Sequence, residues 1–272
     1  MKVILSRKGF DSVSGGMMSP IMPNGDLLSM PIPVGGDPMS FRGLKYGSRT
    51  FRDILLDLNP TFNFGDCHLD PDIDPKRHVK LPRKWGAAFG QNNAASSYLL
   101  NTVGVESGDI FLFFGNFHAV EQKDGGLRFI RRSGKFYEDH DLHVIWGYLQ
   151  IGEILTDPDE IARRFSWHPH AMPRRLESAQ NVLFLPRKRL SLAREKAGCG
   201  LLKFRADRVL TLEGCVRSVW KRNRAYGIGN VIGNRHDSAP DVADGIRYGG
   251  QWQELALRDT KLSADFARSV IL

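Results

Sequence analysis

Histidine and aspartate side chains lie close together at residues 65–75, which read GDCHLDPDIDP. His68 and Asp70 are two positions apart, so their side chains point to the same side of an extended chain. An imidazole and a carboxylate suit iron, manganese or zinc, and the same pair can act as a general acid and base on a nucleotide. We therefore predict a catalytic or metal-binding role for His68 and Asp70. The alternative is a solvated acidic turn whose Asp side chains bond their own backbone.

A second group of polar residues follows the first apolar run of the chain. Residues 3–5 predict a short buried strand, and Ser6, Arg7 and Lys8 come directly after it. Adjacent cations can hold a phosphate, and charged groups after a buried strand are costly unless they bind a partner. We predict Ser6, Arg7 and Lys8 as phosphate ligands, and Asp11 as a catalytic or metal-binding carboxylate. Alternatively, Arg7 and Lys8 point to opposite faces and pair with surface acids.

Further histidines and aromatic residues accompany the apolar segments in the middle of the chain. His168 and His170 form the sequence WHPH, and we predict them as metal ligands together with Asp11, His68 and Asp70. Other histidines near these segments that could converge on the same ion are His118, His140 and His143. Trp146 is a candidate to stack on a base. A purely structural role in the core is the alternative for all of these residues.

The positive charge of the chain is concentrated in one segment. The 272 residues carry a net charge of +8, but residues 161–235 contain 17 Lys or Arg and 4 Asp or Glu, a net charge of +13. Clustered cations create a local positive potential that favours phosphates. The segment therefore indicates contact with a nucleotide or nucleic acid, with a solvated basic face as the alternative.

The elements that must position these residues are predicted to be both helices and strands. Residues 107–155 give the clearest pattern, in which two strongly apolar strands flank a Gly-rich turn and a short strand, as in a β-meander. Helices are predicted over residues 49–57, 84–103 and 157–165 and at the end of the chain, where Ser263 is the expected cap. Further strands are predicted at residues 181–186, 200–204 and 209–212.

These elements predict an α+β fold in one compact domain over residues 1–272, with helices packed around the β-core. A loop-rich part covers residues 1–80, the β-core covers 105–156, and the basic part covers 157–272. The opening loops are too apolar for a disordered tail, so we expect them to fold over the core. The β-core resembles PUA-like folds, including the ASCH and EVE types, which bind nucleic acid or modified bases. The resemblance rests on a Gly-Asp turn before one strand and a Gly-Glu pair near the end of a later one.

Several motifs in the same order resemble the nucleotide modification associated domain 3 family. They are ILSRKGFDS, SPIMPNGDLLSMPIP, HLDPDI, GDIFLFFGNF, HVIWGYLQIGEI and the WHPH region, so the resemblance covers roughly residues 1–190. It implies an association with DNA base-modification systems of phages and bacteria, but it states no reaction. It places Arg7, Lys8, Asp11, His68 and Asp70 at recurrent motif positions without giving any of them a catalytic role.

Three functions are consistent with this sequence, and they leave open whether the protein is an enzyme. The first is binding or modification of a nucleotide or modified base in a basic pocket. The second is a metal-dependent enzyme acting on a small molecule with iron, manganese or zinc. The third is a PUA-like nucleic-acid binding module without catalysis.

No apolar run is long enough to span a bilayer, and three widely spaced cysteines indicate a reducing compartment, so we expect a cytoplasmic protein without membrane contact.

Overall fold

The protein has a mixed α+β fold, as predicted. The computed structural model describes residues 1–11, 13–233, 237–238, 244–249 and 253–272. Helices account for 23% and strands for 35% of the structure, in which helices surround a curled sheet.

The strands are short in the N-terminal part of the chain and long in the centre. They are β1 (Val3–Arg7), β2 (Ser19–Ile21), β3 (Ile32–Pro33), β4 (Met39–Ser40), β5 (Lys45–Tyr46), β6 (Arg49–Thr50), β7 (Asp66–His68), β8 (Phe89–Gln91), β9 (Ile110–Lys123), β10 (Gly126–Phe129), β11 (Leu142–Leu155), β12 (Val182–Pro186), β13 (Arg189–Leu190), β14 (Ala193–Ala197), β15 (Cys199–Leu201), β16 (Val219–Lys221), β17 (Asp237–Ser238), β18 (Gly245–Arg247) and β19 (Glu254–Leu257).

The helices are also short. The α-helices are α1 (Phe51–Leu58), α2 (Asn93–Ser97), α3 (Phe136–Asp139), α4 (Pro158–Arg164), α5 (Pro173–Leu176) and α6 (Lys261–Ile271). A π-helical turn, Tyr98–Val103, continues α2. Single 3₁₀ turns are formed by Pro75–Arg77, Pro169–Ala171, Ala206–Arg208, Arg224–Tyr226 and Ile228–Asn230. Among the described helices, none combines the length and the apolar character needed to cross a membrane.

A curled sheet occupies the centre of the structure, with β9 in its middle. The strand order along its main path is β19-β1-β9-β11-β12-β8. Strand β1 runs parallel to β9 and antiparallel to β19, whereas β9, β11, β12 and β8 are antiparallel to one another in turn. In the described part of the chain, β10 and β11 both pair with β9 and not with each other. The connectivity therefore departs from the predicted β-meander.

Both faces of this sheet are covered, so its central strands are apolar on both sides. In β1, Val3 and Leu5 belong to a cluster on one face, where α6 packs, and Ile4 belongs to the cluster on the other face. Each of these three side chains is 0% exposed. A strand buried on both faces needs a continuous apolar run, which is the pattern of residues 110–114 in β9.

The loop-rich N-terminal part packs on the sheet through a third apolar cluster, as expected. Phe10, Phe41 and Phe62 contact one another in it, with ring centroids 5.1–6.1 Å apart. Helix α1 contributes Phe51 and Leu55 to the same cluster. The packing of this part fixes the position of β7, which carries His68 at its end.

Capping side chains determine where three of the helices begin. Thr50 and Asp53 form a reciprocal capping box at α1, and Asp157 accepts hydrogen bonds from two backbone amides at the start of α4. Helix α6 begins after Thr260, whose side chain accepts from the Ser263 backbone N–H. The predicted cap at Ser263 is therefore wrong, because the hydroxyl three residues earlier satisfies that amide.

Two other predicted elements differ from the structure. Residues 84–103 were expected to form one helix, but residues 89–91 pair with β12 as strand β8, and helical structure begins only at Asn93. Residues 209–212 form isolated bridges beside β11 and β16 instead of a strand. At residues 89–91 long-range pairing with β12 determines the structure, whereas at residues 209–212 the pairing is too short to make a strand.

Candidate functional site

A pocket of about 540 Å³ opens at the end of β1. Its walls come from segments that are distant in the sequence. They are the end of β1 with the loop after it, the region of β3, the end of β7 with the loop after it, β8 with the residues that follow, the 3₁₀ turn 169–171 with α5, and the start of β19. The pocket therefore brings together residues from three of the predicted polar groups. The described polar residues that line it are Arg7, Lys8, Asp11, Ser14, His68, Asp70, Gln91, Asn92, Asn93, His170, Arg175, Gln253 and Glu254.

His68, Asp70 and His170 form a compact cluster in this pocket. Their nearest ligand atoms all lie within 4.8 Å of one another. The Asp70 Oδ2 is 3.7 Å from His68 Nε2 and 3.6 Å from His170 Nε2. Ligands of a transition-metal ion at about 2.0–2.2 Å lie roughly 3 Å apart, so small side-chain shifts would bring these three atoms onto one ion.

Hydrogen bonds to the far side of each ring fix both imidazoles. His68 Nδ1 lies 2.7 Å from Asp37 Oδ2, and His170 Nδ1 lies 2.6 Å from Asn181 Oδ1. The Asn181 amide also donates to the His170 carbonyl at 2.9 Å. Acceptors at Nδ1 favour a proton there, and each Nε2, which lies on the side of Asp70, would then offer its lone pair to an ion bound between them. Acceptors of this kind behind histidine ligands are typical of metal centres.

Asp70 is held in place by the neighbouring strand and faces a third histidine. Its Oδ1 accepts a 2.7 Å hydrogen bond from the backbone N–H of Gly90 in β8. His168 Nε2 is 3.7 Å from the same oxygen. Because His168 Nδ1 accepts from the His170 backbone N–H at 3.2 Å, its Nε2 carries the proton. In this arrangement His168 faces Asp70 as a donor and lies outside the three-residue cluster, although it was predicted as a metal ligand.

The charged groups around the cluster change one another's pKa values. Burial opposes ionisation of Asp70, but His170 and His68 outweigh it and hold the pKa of Asp70 well below its ordinary value. Burial likewise opposes ionisation of Asp37, yet the hydrogen bonds from His68 and Arg175 lower its pKa to about 2. Burial lowers the pKa of His168 to about 3, so this ring is neutral. Both carboxylates are therefore charged at neutral pH. Asp37 is already paired with Arg174 and Arg175, so Asp70 is the one that can attract a cation.

The cationic side of the pocket is formed by Arg7 and Lys8. Lys8 Nζ is 3.7 Å from Glu254 Oε1 and lies 4.7 Å from the centroid of the Phe89 ring. Among the described residues, no carboxylate lies within 4.0 Å of the Arg7 guanidinium. Both residues line the pocket, but Lys8 lies over Phe89, whereas Arg7 also lines a second cavity beside His143. Arg7 is the more available of the two for an anionic ligand.

The remaining predicted residues lie near the pocket in supporting positions. Ser6 is fully buried, and its hydroxyl is 3.3 Å from Glu254 Oε1. Asp11 lines the pocket, but its Oδ1 accepts from the backbone N–H groups of residues 13 and 14 and so closes a turn. Trp146 stacks on Phe113 in the core and lines a second cavity of about 40 Å³, which shares Asp70 with the first pocket. Asp11 and Trp146 do not join the three-residue cluster.

The other histidines line a different cavity. His118, His140 and His143 belong to the walls of a space of about 1040 Å³, which shares Arg7 and Asp11 with the first pocket. His118 bonds Asp141, and His143 Nδ1 accepts from Trp220 Nε1 at 2.8 Å. The histidines therefore divide into two groups and do not converge on one point.

Several residues that complete the pocket carry no signal in the sequence. Asp37 and Asn181 stand alone in loops without a motif, and Gly90 and Gln91 lie in a segment predicted to be helical. Gln91 Nε2 and Ser6 Oγ both reach Glu254, which ties β8 to β1 and β19. These contacts join residues far apart in the chain, so neither spacing nor periodicity could reveal them.

The fold and the pocket define an α+β protein with a candidate metal centre beside a cationic wall. The sequence profile of the family described as nucleotide modification associated domain 3 matches residues 2–260, and the chain belongs to this family. No curated protein and no solved structure shows significant similarity to the chain. The family associates the protein with nucleotide modification systems, and the matched residues include every described residue that lines the pocket.

Proposed function

We propose that the protein is a metal-dependent enzyme that modifies a nucleotide, either free or within a nucleic acid. His68, Asp70 and His170 bind a divalent transition ion, and Arg7 with Lys8 binds a phosphate of the substrate. The observation that carries the proposal is the compact cluster of these three side chains, with both imidazoles oriented by acceptors behind them.

The donor set is consistent with iron, manganese or zinc. Two imidazoles and one carboxylate hold non-haem iron in many oxygenases and zinc in many hydrolases, and both kinds of site keep coordination positions open for substrate. The bound ion would supply Lewis acidity or redox chemistry. The ion that the protein retains would therefore indicate whether an oxidative or a hydrolytic reaction should be sought.

The dimensions and the charge of the pocket suit a nucleotide. Its volume of about 540 Å³ falls within the range of pockets that enclose small organic ligands. The Arg7 guanidinium can bind a phosphate with two parallel hydrogen bonds. Lys8 is partly neutralised by Glu254, so it adds positive potential while Arg7 makes the directional contact. Asn92 and Asn93 add side-chain amides to the same wall, suited to hydrogen bonding with a base.

Calorimetric titration of deoxynucleoside monophosphates tests this function. We expect protein loaded with one equivalent of its metal to bind at least one of them, with roughly tenfold weaker binding after the metal is removed by a chelator. His170→Ala should behave like the chelated protein, whereas His140→Ala, which changes a histidine outside the pocket, should behave like the wild type. Equal affinities with and without metal would contradict a shared site for metal and nucleotide.

A further inference from the structure

The cations of the basic segment differ in whether a carboxylate accompanies them. Arg164 pairs with Glu153, and Arg205 pairs with Asp207. By contrast, residues 187–196 carry five cations and one acid. These cations are Arg187, Lys188, Arg189, Arg194 and Lys196, and among the described residues no carboxylate lies within 4.0 Å of any of their charged groups. This stretch of ten residues therefore carries a net charge of +4 without ion pairs among the described residues.

This stretch forms the β13–β14 hairpin and the residues leading into it. Four of its cations line a surface cleft of about 400 Å³, and the described wall of the cleft contains no acid. Its lining residues are Arg187, Lys188, Arg189, Leu190, Ser191 and Arg194. The four cationic side chains are exposed. Like charges held this close together repel one another, so an anion in the cleft would stabilise the arrangement.

The hairpin is rigidly attached to the sheet. Leu190 is 0% exposed and belongs to the core cluster on the α6 face. Ser191 exchanges two hydrogen bonds with the Gln150 side chain, at 2.6 and 2.7 Å. The Arg187 backbone N–H donates to the Gln150 carbonyl at 2.9 Å. The cations therefore project from a fixed frame, so less conformational entropy is lost when they bind a ligand.

We propose that the β13–β14 hairpin, residues 187–196, binds the phosphate backbone of a nucleic acid. Several Arg and Lys side chains in a cleft without acids match a row of phosphates, each of which releases counterions when it is neutralised. Contacts of this kind position a nucleic acid without reading its sequence. The hairpin extends the function of the protein from a nucleotide to a polynucleotide.

The hairpin and the metal pocket are separate sites. They share no described lining residue. At the hairpin, Arg187 lies level with Gln150, which pairs with Ile110 at the start of β9. At the pocket, the backbone N–H of Lys8 bonds the carbonyl of Phe114, farther along the same strand. Four residues of β9 therefore separate the two levels, about 13 Å along the strand. A mononucleotide in the pocket does not reach the hairpin, so the two sites can be tested independently.

The test is fluorescence anisotropy with a labelled DNA duplex of about 20 base pairs, measured at about 50 mM and 200 mM salt. The variant replaces Arg187, Lys188, Arg189 and Arg194 together with Gln. The control replaces four exposed cations that are paired with acids elsewhere, and these are Arg128, Lys135, Arg163 and Lys261. The hairpin variant and the control variant have the same net charge. A difference in their DNA affinity therefore depends on where the charges were removed and not on how many.

We expect the hairpin variant to bind DNA at least tenfold more weakly at low salt. The slope of log affinity against log salt concentration should fall by the equivalent of about two to four phosphate contacts. The control should lose much less affinity. Metal content and mononucleotide binding should not change in the hairpin variant, whereas loss of the metal in His68→Ala should leave DNA binding intact. Equal DNA affinities of the variant and the control would overturn the proposal, and so would a wild-type protein that fails to bind DNA at low salt.

Discussion

Gly90 lies directly against the ring of His170. A Cβ atom at residue 90 would lie 2.3 Å from His170 Cδ2 and 2.6 Å from Nε2, far inside van der Waals contact. The same residue donates its backbone N–H to Asp70 Oδ1. A residue without a side chain therefore lets β8 approach two members of the cluster at once. This close approach is what places the imidazole and the carboxylate of the candidate metal centre side by side.

Gly90→Ala should displace His170 and weaken metal binding. We expect the metal affinity to fall by about 10-fold or more, a loss typical of disturbed support around metal ligands, with a stability cost of about 1–3 kcal/mol for the added methyl group. Competition with a chelating dye measures the affinity, and circular dichroism checks the fold. Gly86→Ala is the matched control, because a Cβ there meets only Phe165 at an ordinary 3.8 Å. An unchanged affinity in Gly90→Ala would show that His170 does not bind the ion.

Asp37→Asn should weaken metal binding without removing a ligand. The substitution removes the negative charge that orients His68 and leaves Arg174 and Arg175 without their carboxylate partner. We expect a loss of about 10- to 100-fold in metal affinity, as for other acceptors behind histidine ligands. Chelator competition gives the value, and Asp207→Asn at an exposed ion pair is the control. If both variants keep the wild-type affinity, Asp37 serves only the local structure.

Arg7→Gln should weaken nucleotide binding and leave the metal in place. Loss of a charge-assisted hydrogen bond to phosphate costs about 1.5–3 kcal/mol, or roughly 10- to 100-fold in affinity. Calorimetry with the best-binding mononucleotide measures the effect, and elemental analysis checks that metal content is constant. Arg128→Gln removes an exposed cation that pairs with Asp124 and should have no effect. An equal affinity of Arg7→Gln and wild type would place the phosphate elsewhere.

His143 should make the protein less stable in mild acid. Burial lowers its pKa to about 3, assisted by the positive charges of Arg7 and Arg217, and the neutral ring accepts a hydrogen bond from Trp220. In the unfolded chain this ring takes up a proton near pH 6.5. The stabilising contribution of His143 is therefore complete above that pH and is lost as the pH falls toward 3. We expect the free energy of unfolding to fall by up to about 1.4 kcal/mol per pH unit from this residue.

Urea unfolding of wild type and His143→Asn between about pH 7 and pH 5 measures this contribution. The Asn side chain retains an acceptor for Trp220 but does not titrate. The variant should be less stable at neutral pH, because it fills less of the core, and its stability should depend less steeply on pH. If the free energies of unfolding of the two proteins change equally with pH, His143 does not cause the loss of stability in acid.

The sequence points to the residues of the candidate metal centre more clearly than to the residues that orient them. His68 with Asp70 and the WHPH segment stand out because the residue types and their spacing fit one kind of chemistry. Asp37 lies 31 residues before His68, and only the pairing of β7 with β3 and β4 brings its loop back to the ring. Contacts of this length depend on the complete fold, so they leave no local pattern.

The same limit applies to the fold. The long apolar runs of β9 and β11 are recognisable because strands buried on both faces are apolar throughout. Residues 89–91 lie in a segment predicted to be one helix, yet pairing with β12 makes them a strand. Since this strand supplies the amide that bonds Asp70, the error in the predicted element also hid Gly90 as a residue of the site.

Elemental analysis of the purified protein, without added metal or chelator, tests the central claim most directly. Our account predicts close to one equivalent of iron, manganese or zinc in the wild type. It predicts loss of that metal in His170→Ala and retention in His140→Ala. A wild-type protein that contains no transition metal, and takes up none when titrated with these ions, would contradict the metal centre. The pocket would then be a site for an anionic ligand only.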